Sequence, residues 1–366
     1  MNYTIPNLPL SFDVESKVIL RKLTKAHQAL AELKGVTGII PNQSILVNTL
    51  SLQEAKDSSA IENIITTHDD LYASDVLKRH FSTLASKEVH SYALALRNGY
   101  SVVRQTGLLT NVCILEIQAT LLENNAGYRR LPGTSLKNDQ TGEIIYMPPQ
   151  DTRQIENFMS NLEQFINDDR LSDLDPLVKM AIIHHQFESI HPFYDGNGRT
   201  GRIINILYLV KSGLLESPVL YLSRYINQNK NEYYRLLQAV RDHNDWELFI
   251  VYMLDGIEQT SRQTTYLVQD IRKLMQKSKD KIRYELPKIY SQELLNNLFN
   301  HPYTKIEFIM NELKVQRITA TKYLNQLVDI GLLKKQQIKK ENFYVNQDLF
   351  ELLLNVGTQR SLTLNQ

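Results

Sequence analysis

Cysteine is almost absent from this chain. Cys113 is the single cysteine among 366 residues, so no disulfide can form within the chain. Its neighbours Val112, Ile114 and Leu115 are apolar, which predicts a buried and unreactive thiol. One cysteine in a chain of this length suits a protein of a reducing compartment, and it excludes the disulfide-rich secreted class.

Long apolar runs and a strong net charge are also lacking. No stretch approaches about 20 apolar residues, the length that a membrane-spanning helix needs, and the first residues show no signal-peptide pattern. The formal net charge of +1 predicts no global attraction to nucleic acid or acidic lipid. With 42% hydrophobic and 22% charged residues, the composition predicts a globular, cytoplasmic protein without a membrane partner.

Residues 191–202 carry the most informative pattern, HPFYDGNGRTGR. Pro192 and the glycines predict a tight loop around the first half of this run. The apolar, periodic residues that follow predict a buried helix. The loop is therefore expected to lead into a helix N-terminus, where unpaired backbone N–H groups and the helix dipole favour an anion.

Four side chains of this run suit phosphate chemistry. Arg199 and Arg202 are three residues apart, so both can reach the same end of the helix, where guanidinium groups match phosphate oxygens. Asp195 offers a hard oxygen ligand for the Mg²⁺ that accompanies a nucleotide. His191 is the group that can take a proton from an attacking hydroxyl near neutral pH.

The run resembles the signature of the Fic family, HPFx[D/E]GNGRxxR, at every defined position. The usual activity in that family is transfer of AMP from ATP to a Ser, Thr or Tyr hydroxyl of a target protein. The resemblance implies that His191 is the general base, that Asp195 holds Mg²⁺ and that Phe193 anchors the loop. It also implies a nucleotide-binding role for the remaining positions: Gly196, Asn197, Gly198, Arg199, Thr200, Gly201 and Arg202. Relatives that act as kinases carry Lys at the position of Gly198, so the glycine favours nucleotidyl transfer.

A second segment, residues 58–63, fits the inhibitory motif [S/T]xxxE[G/N] of many Fic proteins. Ser58 and Glu62 lie at i and i+4 on one face of a predicted helix, and Asn63 follows them. The resemblance implies that Glu62 pairs with Arg202 where the γ-phosphate belongs, so that ATP binds in an unreactive pose. By itself the pattern is also a common capping element. Some family members use this glutamate to orient a water that removes AMP, which leaves hydrolysis open for Glu62.

Two further segments resemble parts of the family. Residues 141–149 predict a hairpin that resembles the flap beside the active site, which aligns the target by adding a strand. Residues 221–227 and 231–234 resemble the lining of the adenine pocket, and Tyr234 is expected to contact adenine. Without the resemblance, these segments are a surface hairpin and packing aromatics.

A metal site is the competing chemistry. His184, Glu188 and His191 fall at i, i+4 and i+7, which would place three ligands on one helical face, as in a metal-dependent hydrolase. Pro192 disfavours helical geometry at His191, so the third ligand is expected to leave that face.

The remaining pattern is overwhelmingly helical. Helices are predicted over about 14–33 and 42–65, and from Ser86, Asn111, Ile155 and Pro176 onward, with a non-helical interruption at 132–149. The polar run 277–281 predicts a domain boundary. The expected division is a helical region 1–110 with the inhibitory helix near 55–66, a Fic core 111–280, a third domain 281–356 and a tail 357–366.

The third domain predicts short helices at about 290–299, 305–313 and 319–330, with Gly331 ending the last, followed by a hairpin. This order resembles a winged helix-turn-helix domain, which follows the Fic domain in several bacterial relatives. In a DNA-binding version, one set of residues would face the major groove and a second the phosphates: Thr319, Thr321 and Lys322, then Lys339 and Lys340. The basic excess is too small to decide between DNA binding and a protein-docking or dimer module.

These predictions describe a mostly α protein: a helical Fic core with a small β-hairpin flap and a C-terminal winged helix-turn-helix domain. The expected function is an autoinhibited protein adenylyltransferase that uses ATP and Mg²⁺ and modifies a target protein or itself. The resemblance also implies a homodimer. A nucleotide-sensing, DNA-binding regulator is the alternative from another class, although a pure sensor would have no need of His191.

Overall fold

The computed structural model describes residues 3–40, 42–68, 70–72, 83–137, 141–338 and 341–355. In these ranges the protein is mostly helical, with one two-stranded and one three-stranded sheet, which confirms the predicted mostly α fold. No helix within them combines the length and the apolar character that crossing a membrane requires.

The N-terminal region consists of helices that begin at side-chain caps. Their bounds are α1 Lys17–Thr37, α2 Gln43–Ile61, α3 Leu84–Thr106 and α4 Asn111–Leu122. At each start a side-chain oxygen accepts a hydrogen bond from the backbone of the first turn; the capping residues are Ser16, Asn42, Thr83 and Thr110. Helix α2 ends four residues before the predicted limit of 65, so Glu62 follows the helix as its C-cap.

A hairpin and a set of core helices follow. Strands β1 Leu136–Lys137 and β2 Ile144–Tyr146 pair antiparallel, as the flap prediction requires. The helices are α5 Thr152–Asn167, α6 Pro176–Ile190, α7 Asn197–Lys211, α8 Leu222–Gln228, α9 Lys230–His243 and α10 Trp246–Glu285. Every residue of α6 after Pro176 is buried, so its polar residues, among them His184 and Glu188, lie inside the protein with its apolar ones. The polar run 277–281 lies inside α10.

The C-terminal part has the predicted helices and hairpin at the predicted places, to within a few residues. Its elements are α11 Gln292–Asn300, β3 Tyr303–Thr304, α12 Ile306–Leu313, α13 Arg317–Asp329, β4 Lys334–Ile338, β5 Glu341–Val345 and α14 Gln347–Leu354, with sheet order β3-β5-β4. Gly331 adopts φ 71° just beyond α13. On α13, Lys322 is exposed and Thr319 and Thr321 are half-buried. Lys339, Lys340 and the predicted tail lie outside the described residues.

Helix α2 is held firmly against the core by a buried carboxylate. Glu54 accepts hydrogen bonds from the hydroxyl of Tyr92 at 3.0 Å and from the backbone N–H and hydroxyl of Ser223. Burial, against these hydrogen bonds, raises the pKa of Glu54 to about 7. The C-terminal part touches the same helix, since Ser44 donates to Asn300 at 3.2 Å. The position of the residues that end α2 is therefore fixed from several sides.

Candidate functional site

The loop that connects α6 to α7 presents His191. The backbone N–H of His191 donates to Phe187 at 2.9 Å and so closes the last turn of α6. His191 itself has φ 48° and ψ 58°, the left-handed region, which turns the chain away from the helix axis. The following Pro192 disfavours right-handed helical geometry at this position, as predicted. His191 therefore leaves the face of α6 that carries His184 and Glu188.

Asn197 fixes the shape of this loop. Its Oδ1 accepts a hydrogen bond from the backbone N–H of Phe193 at 2.9 Å, and its Nδ2 donates to the Phe193 carbonyl at 2.8 Å. The Phe193 ring is fully buried beside Phe187 and Tyr128. Gly196 adopts φ 79° as the N-cap of α7, a conformation that favours glycine. Phe193 is thus a buried anchor of the loop, as the resemblance implies. The Asn197 side chain stabilises the loop through its two hydrogen bonds to the backbone of Phe193.

The imidazole of His191 is held neutral. Burial, together with the nearby guanidinium groups of Arg129 and Arg241, lowers the pKa of His191 to about 4. A neutral ring at pH 7 has a nitrogen that can accept a proton, as a general base must. Neither arginine was predicted from the sequence to belong to the site. Arg129 comes just before the predicted non-helical interruption at 132–149, and that proximity was the one available signal.

Arg202 is enclosed by the end of α2. Its Nε donates to the Ser58 hydroxyl at 2.7 Å, and its Nη2 donates to the Ser58 carbonyl at 3.0 Å and to Glu62 Oε1 at 2.8 Å. Burial is the largest single effect and opposes the charge of Arg202, but Glu62 and the neighbouring tyrosines together outweigh it, so the pKa of the guanidinium is raised. For Glu62, burial is likewise overcome by Arg202, so the pKa of the carboxyl is lowered. Both groups are therefore charged at neutral pH.

The approach of Glu62 depends on two backbone positions. A Cβ at Gly198 would lie far inside contact distance of Glu62 Oε1 and 2.9 Å from Arg202 Nη1. Asn63 has φ 62°, the left-handed conformation that glycine and asparagine adopt most readily, which accounts for the G/N position of the motif. Lys230 Nζ donates to Asn63 Oδ1 at 3.2 Å and ties this turn to α9.

Arg199 and Asp195 lie at the N-terminus of α7. Arg199 Nη1 donates to Glu88 Oε2 of α3 at 2.8 Å, and Nη2 lies 3.5 Å from Asp195 Oδ1. The Asp195 side chain is 73% exposed, and its Oδ1 accepts the N–H of Gly196 at 2.6 Å. An exposed carboxylate beside a helix N-terminus fits Mg²⁺, which usually binds proteins through one or two carboxylates and takes its other ligands from phosphates and water.

Two of the predicted nucleotide-binding residues face the interior of the protein. Thr200 and Gly201 are buried in α7. A Cβ at Gly201 would lie 2.8 Å from Glu188 Oε1 and 3.1 Å from Phe187, so the glycine permits close packing of α7 on α6. Burial raises the pKa of Glu188 to about 7, although Arg202 opposes this effect.

The metal alternative finds no support in the contacts of His184. Its Nε2 pairs with the Tyr233 hydroxyl at 2.7 Å and its Nδ1 with Asn205 Nδ2 at 3.0 Å, so neither ring nitrogen remains for a metal. Burial, followed by Arg202, lowers the pKa of His184 to about 3. Among the described residues, no group of three or more His, Cys, Asp or Glu side chains is arranged to hold a metal ion. Cys113, as predicted, is buried and free.

The flap lies beside a groove on α9. Tyr146 points inward and donates from its hydroxyl to the Ser189 carbonyl at 2.9 Å, while Ile144 and Ile145 are about half exposed. A groove of about 400 Å³ runs between β2 and α9; it is lined by Ile145, Tyr234, Arg235, Gln238, Ala239, Asp242 and His243. The residue predicted to contact adenine, Tyr234, is therefore an open groove residue next to the flap.

Three family models match this chain. "Fic/DOC family N-terminal" matches residues 20–101, "Fic/DOC family" matches residues 108–209, and "Protein adenylyltransferase SoFic-like, C-terminal domain" matches residues 274–349. The "Protein adenylyltransferase Fic" of Drosophila yakuba is 32% identical over 102 residues, which are 28% of this chain and 19% of the relative. The chain thus matches less than a fifth of that relative's length.

Solved structures share the fold. A Fic family protein from Desulfovibrio desulfuricans has a TM-score of 0.58 at 19% identity, with 91% of this chain and 97% of that chain covered. A Fic domain-containing signalling protein from Bacteroides thetaiotaomicron has a TM-score of 0.53 at 20% identity, with 67% and 97% covered. Because the two Fic/DOC models together match just over half of the 366 residues, and the site residues meet in space, the chain belongs to the Fic/DOC family.

Proposed function

We propose that this protein is an autoinhibited protein adenylyltransferase, which transfers AMP from ATP to a Ser, Thr or Tyr hydroxyl of a target protein. The arrangement at the start of α7 carries the proposal: a neutral imidazole and an exposed carboxylate stand beside a helix N-terminus with two buried arginines. The relative from Drosophila yakuba is named a protein adenylyltransferase, which points to the same reaction.

The proposed chemistry uses the chain's own residues as follows. The target hydroxyl attacks the α-phosphorus, and His191 takes the hydroxyl proton. A new bond forms between the target oxygen and the α-phosphorus, and the bond from the α-phosphorus to the bridging oxygen breaks, so pyrophosphate leaves. The backbone N–H groups at the start of α7, with Arg199 and Arg202, neutralise the charge on the phosphates. Catalysis then rests on positioning and electrostatic stabilisation.

Asp195 is the proposed Mg²⁺ ligand. Its carboxylate is exposed, and its orientation is set by the Gly196 N–H and by Arg199. When bound, Mg²⁺ would neutralise phosphate charge and help to orient the nucleotide. The side chain lies on the same helix end that would receive the phosphates, so one carboxylate can serve both the ion and the nucleotide.

Inhibition is proposed to come from Glu62. The nitrogens Nε and Nη2 of Arg202 are occupied by Ser58 and Glu62, and the pair is mostly shielded from solvent. A γ-phosphate that pairs with Arg202 must displace Glu62 first. A nucleotide that enters without doing so would sit with its phosphates out of line for attack.

The groove between β2 and α9 is the proposed place where substrate groups meet. The exposed apolar side chains of Ile144, Ile145 and Met147 suit addition of a target strand along the flap. Tyr234 is proposed to contact adenine from the α9 side of the groove.

An intact-mass experiment tests the function directly. The Glu62→Gly protein is incubated with Mg-ATP alone and with a bacterial lysate depleted of nucleotides, with Glu62→Gly/His191→Ala as the matched control. We expect a mass gain of one adenylyl group on this chain or on a lysate protein, and none with the control. A gain of one phosphoryl group would indicate a kinase, and equal labelling in the control would remove His191 from the mechanism.

A further inference from the structure

Arg129 is a buried arginine outside every motif of the sequence. Its side chain lies among the largest fully buried ones in the described residues, with a relative exposure of 1%. Arg130 follows directly and is exposed. A guanidinium is costly to remove from water unless its donors are satisfied by good hydrogen bonds. The acceptors of Arg129 therefore indicate what the fold gains from it.

These acceptors come from two segments that form the proposed site. Arg129 Nε donates to the His191 carbonyl at 2.8 Å, and Nη2 donates to the carbonyl of Ile190 at 3.4 Å and to that of Pro149. The backbone N–H of Arg129 donates to the Pro192 carbonyl at 2.9 Å. One residue thus bonds the backbone on both sides of the base and the end of the segment that follows strand β2.

The same residue also shapes the electrostatics of the base. After burial, Arg129 is the strongest cause of the lowered pKa of His191, ahead of Arg241. Arg241 stacks on the flap residue Tyr146 at 4.2 Å from the ring centroid and donates to the Ser189 hydroxyl. No acidic side chain is hydrogen-bonded to Arg129 in the described residues, so its charge acts unpaired on the imidazole.

We propose that Arg129 is a positioning residue that fixes the register between the flap and His191, and so sets where the target hydroxyl meets the base. The inference rests on the proposed transferase function. A target strand that adds to β2 would be positioned by the flap, whereas the base His191 is positioned by the end of α6. The planar guanidinium of Arg129 can donate to carbonyls of the segment after β2 and of the end of α6 at the same time. A lysine amine cannot do this in the same geometry.

Kinetics of three variants in the Glu62→Gly background test the proposal. Arg129→Lys keeps the charge and loses the fork, Arg129→Gln loses both, and Arg130→Lys is the matched exposed control. We expect Arg129→Lys to lower kcat about 10- to 100-fold, the cost of misplacing reacting groups by a fraction of an ångström to an ångström. The KM for ATP should stay within about twofold, because the proposed phosphate-binding groups lie on α7.

The pH profile separates the two roles. Arg129→Lys should leave the acid limb of kcat unchanged, whereas Arg129→Gln should move it to higher pH, since removal of the positive charge raises the pKa of His191. The Arg130→Lys control should match the parent in kcat and in pH profile. Arg129→Lys with the parent's kcat would overturn the proposal, as would an equal loss in every kinetic constant accompanied by a lowered melting temperature.

A second measurement needs no activity, so that failure of the proposed function can be told from failure of this inference. Hydrogen exchange of the backbone amides of Ile145 and Tyr146 reports how firmly the flap is held. Exchange should be faster in Arg129→Lys than in Arg130→Lys, with helices α3 and α5 unchanged. Equal exchange in the two variants would contradict the coupling even if neither protein transferred AMP.

Discussion

Removal of the Glu62 carboxylate should raise the rate of AMP transfer. The change Glu62→Gly takes away the acceptor at 2.8 Å from Arg202 Nη2, while both hydrogen bonds from Arg202 to Ser58 remain. Arg202 therefore keeps its place and gains an open side for the γ-phosphate. Glycine is also acceptable there because Glu62 follows the last residue of α2, so the substitution puts no glycine into the helix interior.

The magnitude follows from the strength of the contact that the phosphate has to replace. A hydrogen bond to a charged group contributes about 1.5–3 kcal/mol, so its loss should raise the apparent rate about 10- to 150-fold. Because the Glu62 side chain is 34% exposed, solvent screening favours the lower half of that range. Glu62→Gln, which keeps the shape and removes the charge, should give a smaller rise.

Initial rates with radiolabelled ATP measure this effect. Glu123→Gly is the matched control, because Glu123 is likewise a helix C-cap, at the end of α4, and is paired with a cation, Lys87, at 2.7 Å, whereas the hydrogen bonds of Arg202 go to Ser58 and Glu62. Its rate should equal that of the parent. A rate for Glu62→Gly that is no higher than the control's would refute the reasoning and reduce residues 58–63 to an ordinary helix end.

Three further outcomes are expected. The acid limb of kcat/KM should fall near pH 4, because the pKa of His191 is lowered to about 4 and the imidazole is neutral above that pH. An acid limb near the ordinary pKa of histidine would contradict this electrostatic account. Asp195→Ala should abolish Mg²⁺-dependent transfer without altering the melting temperature, since the side chain is 73% exposed; full activity would move the ion elsewhere. Treatment with EDTA should leave the melting temperature unchanged, because both ring nitrogens of His184 have protein partners; a fall would reopen the metal site.

The sequence predicted the elements that have local signals. Pro176 begins α6, and the loop of residues 191–196 leads into a helix at Asn197, because proline, glycine and the apolar period act over a few residues. Gly331 ends α13 in the left-handed conformation that was expected there. These features need no knowledge of distant contacts.

Other parts depend on contacts between segments far apart in the chain. The partner of Arg199 is Glu88, more than a hundred residues earlier, and nothing in either local pattern indicates the pair. Arg129 looks like an ordinary basic residue next to Arg130, and only burial distinguishes the two. Helix α14, which follows the hairpin within the predicted domain 281–356, was not predicted.

The absence of a side chain at residue 198 ties two properties of the protein to one position. Any larger residue there would occupy the volume that the Glu62 carboxylate and the Arg202 guanidinium now share. In the proposed mechanism, a larger residue at position 198 would therefore also displace the inhibitory carboxylate of Glu62. A descendant that replaced Gly198 in acquiring different phosphate chemistry would lose the proposed inhibition by Glu62. It would then have to acquire another form of control.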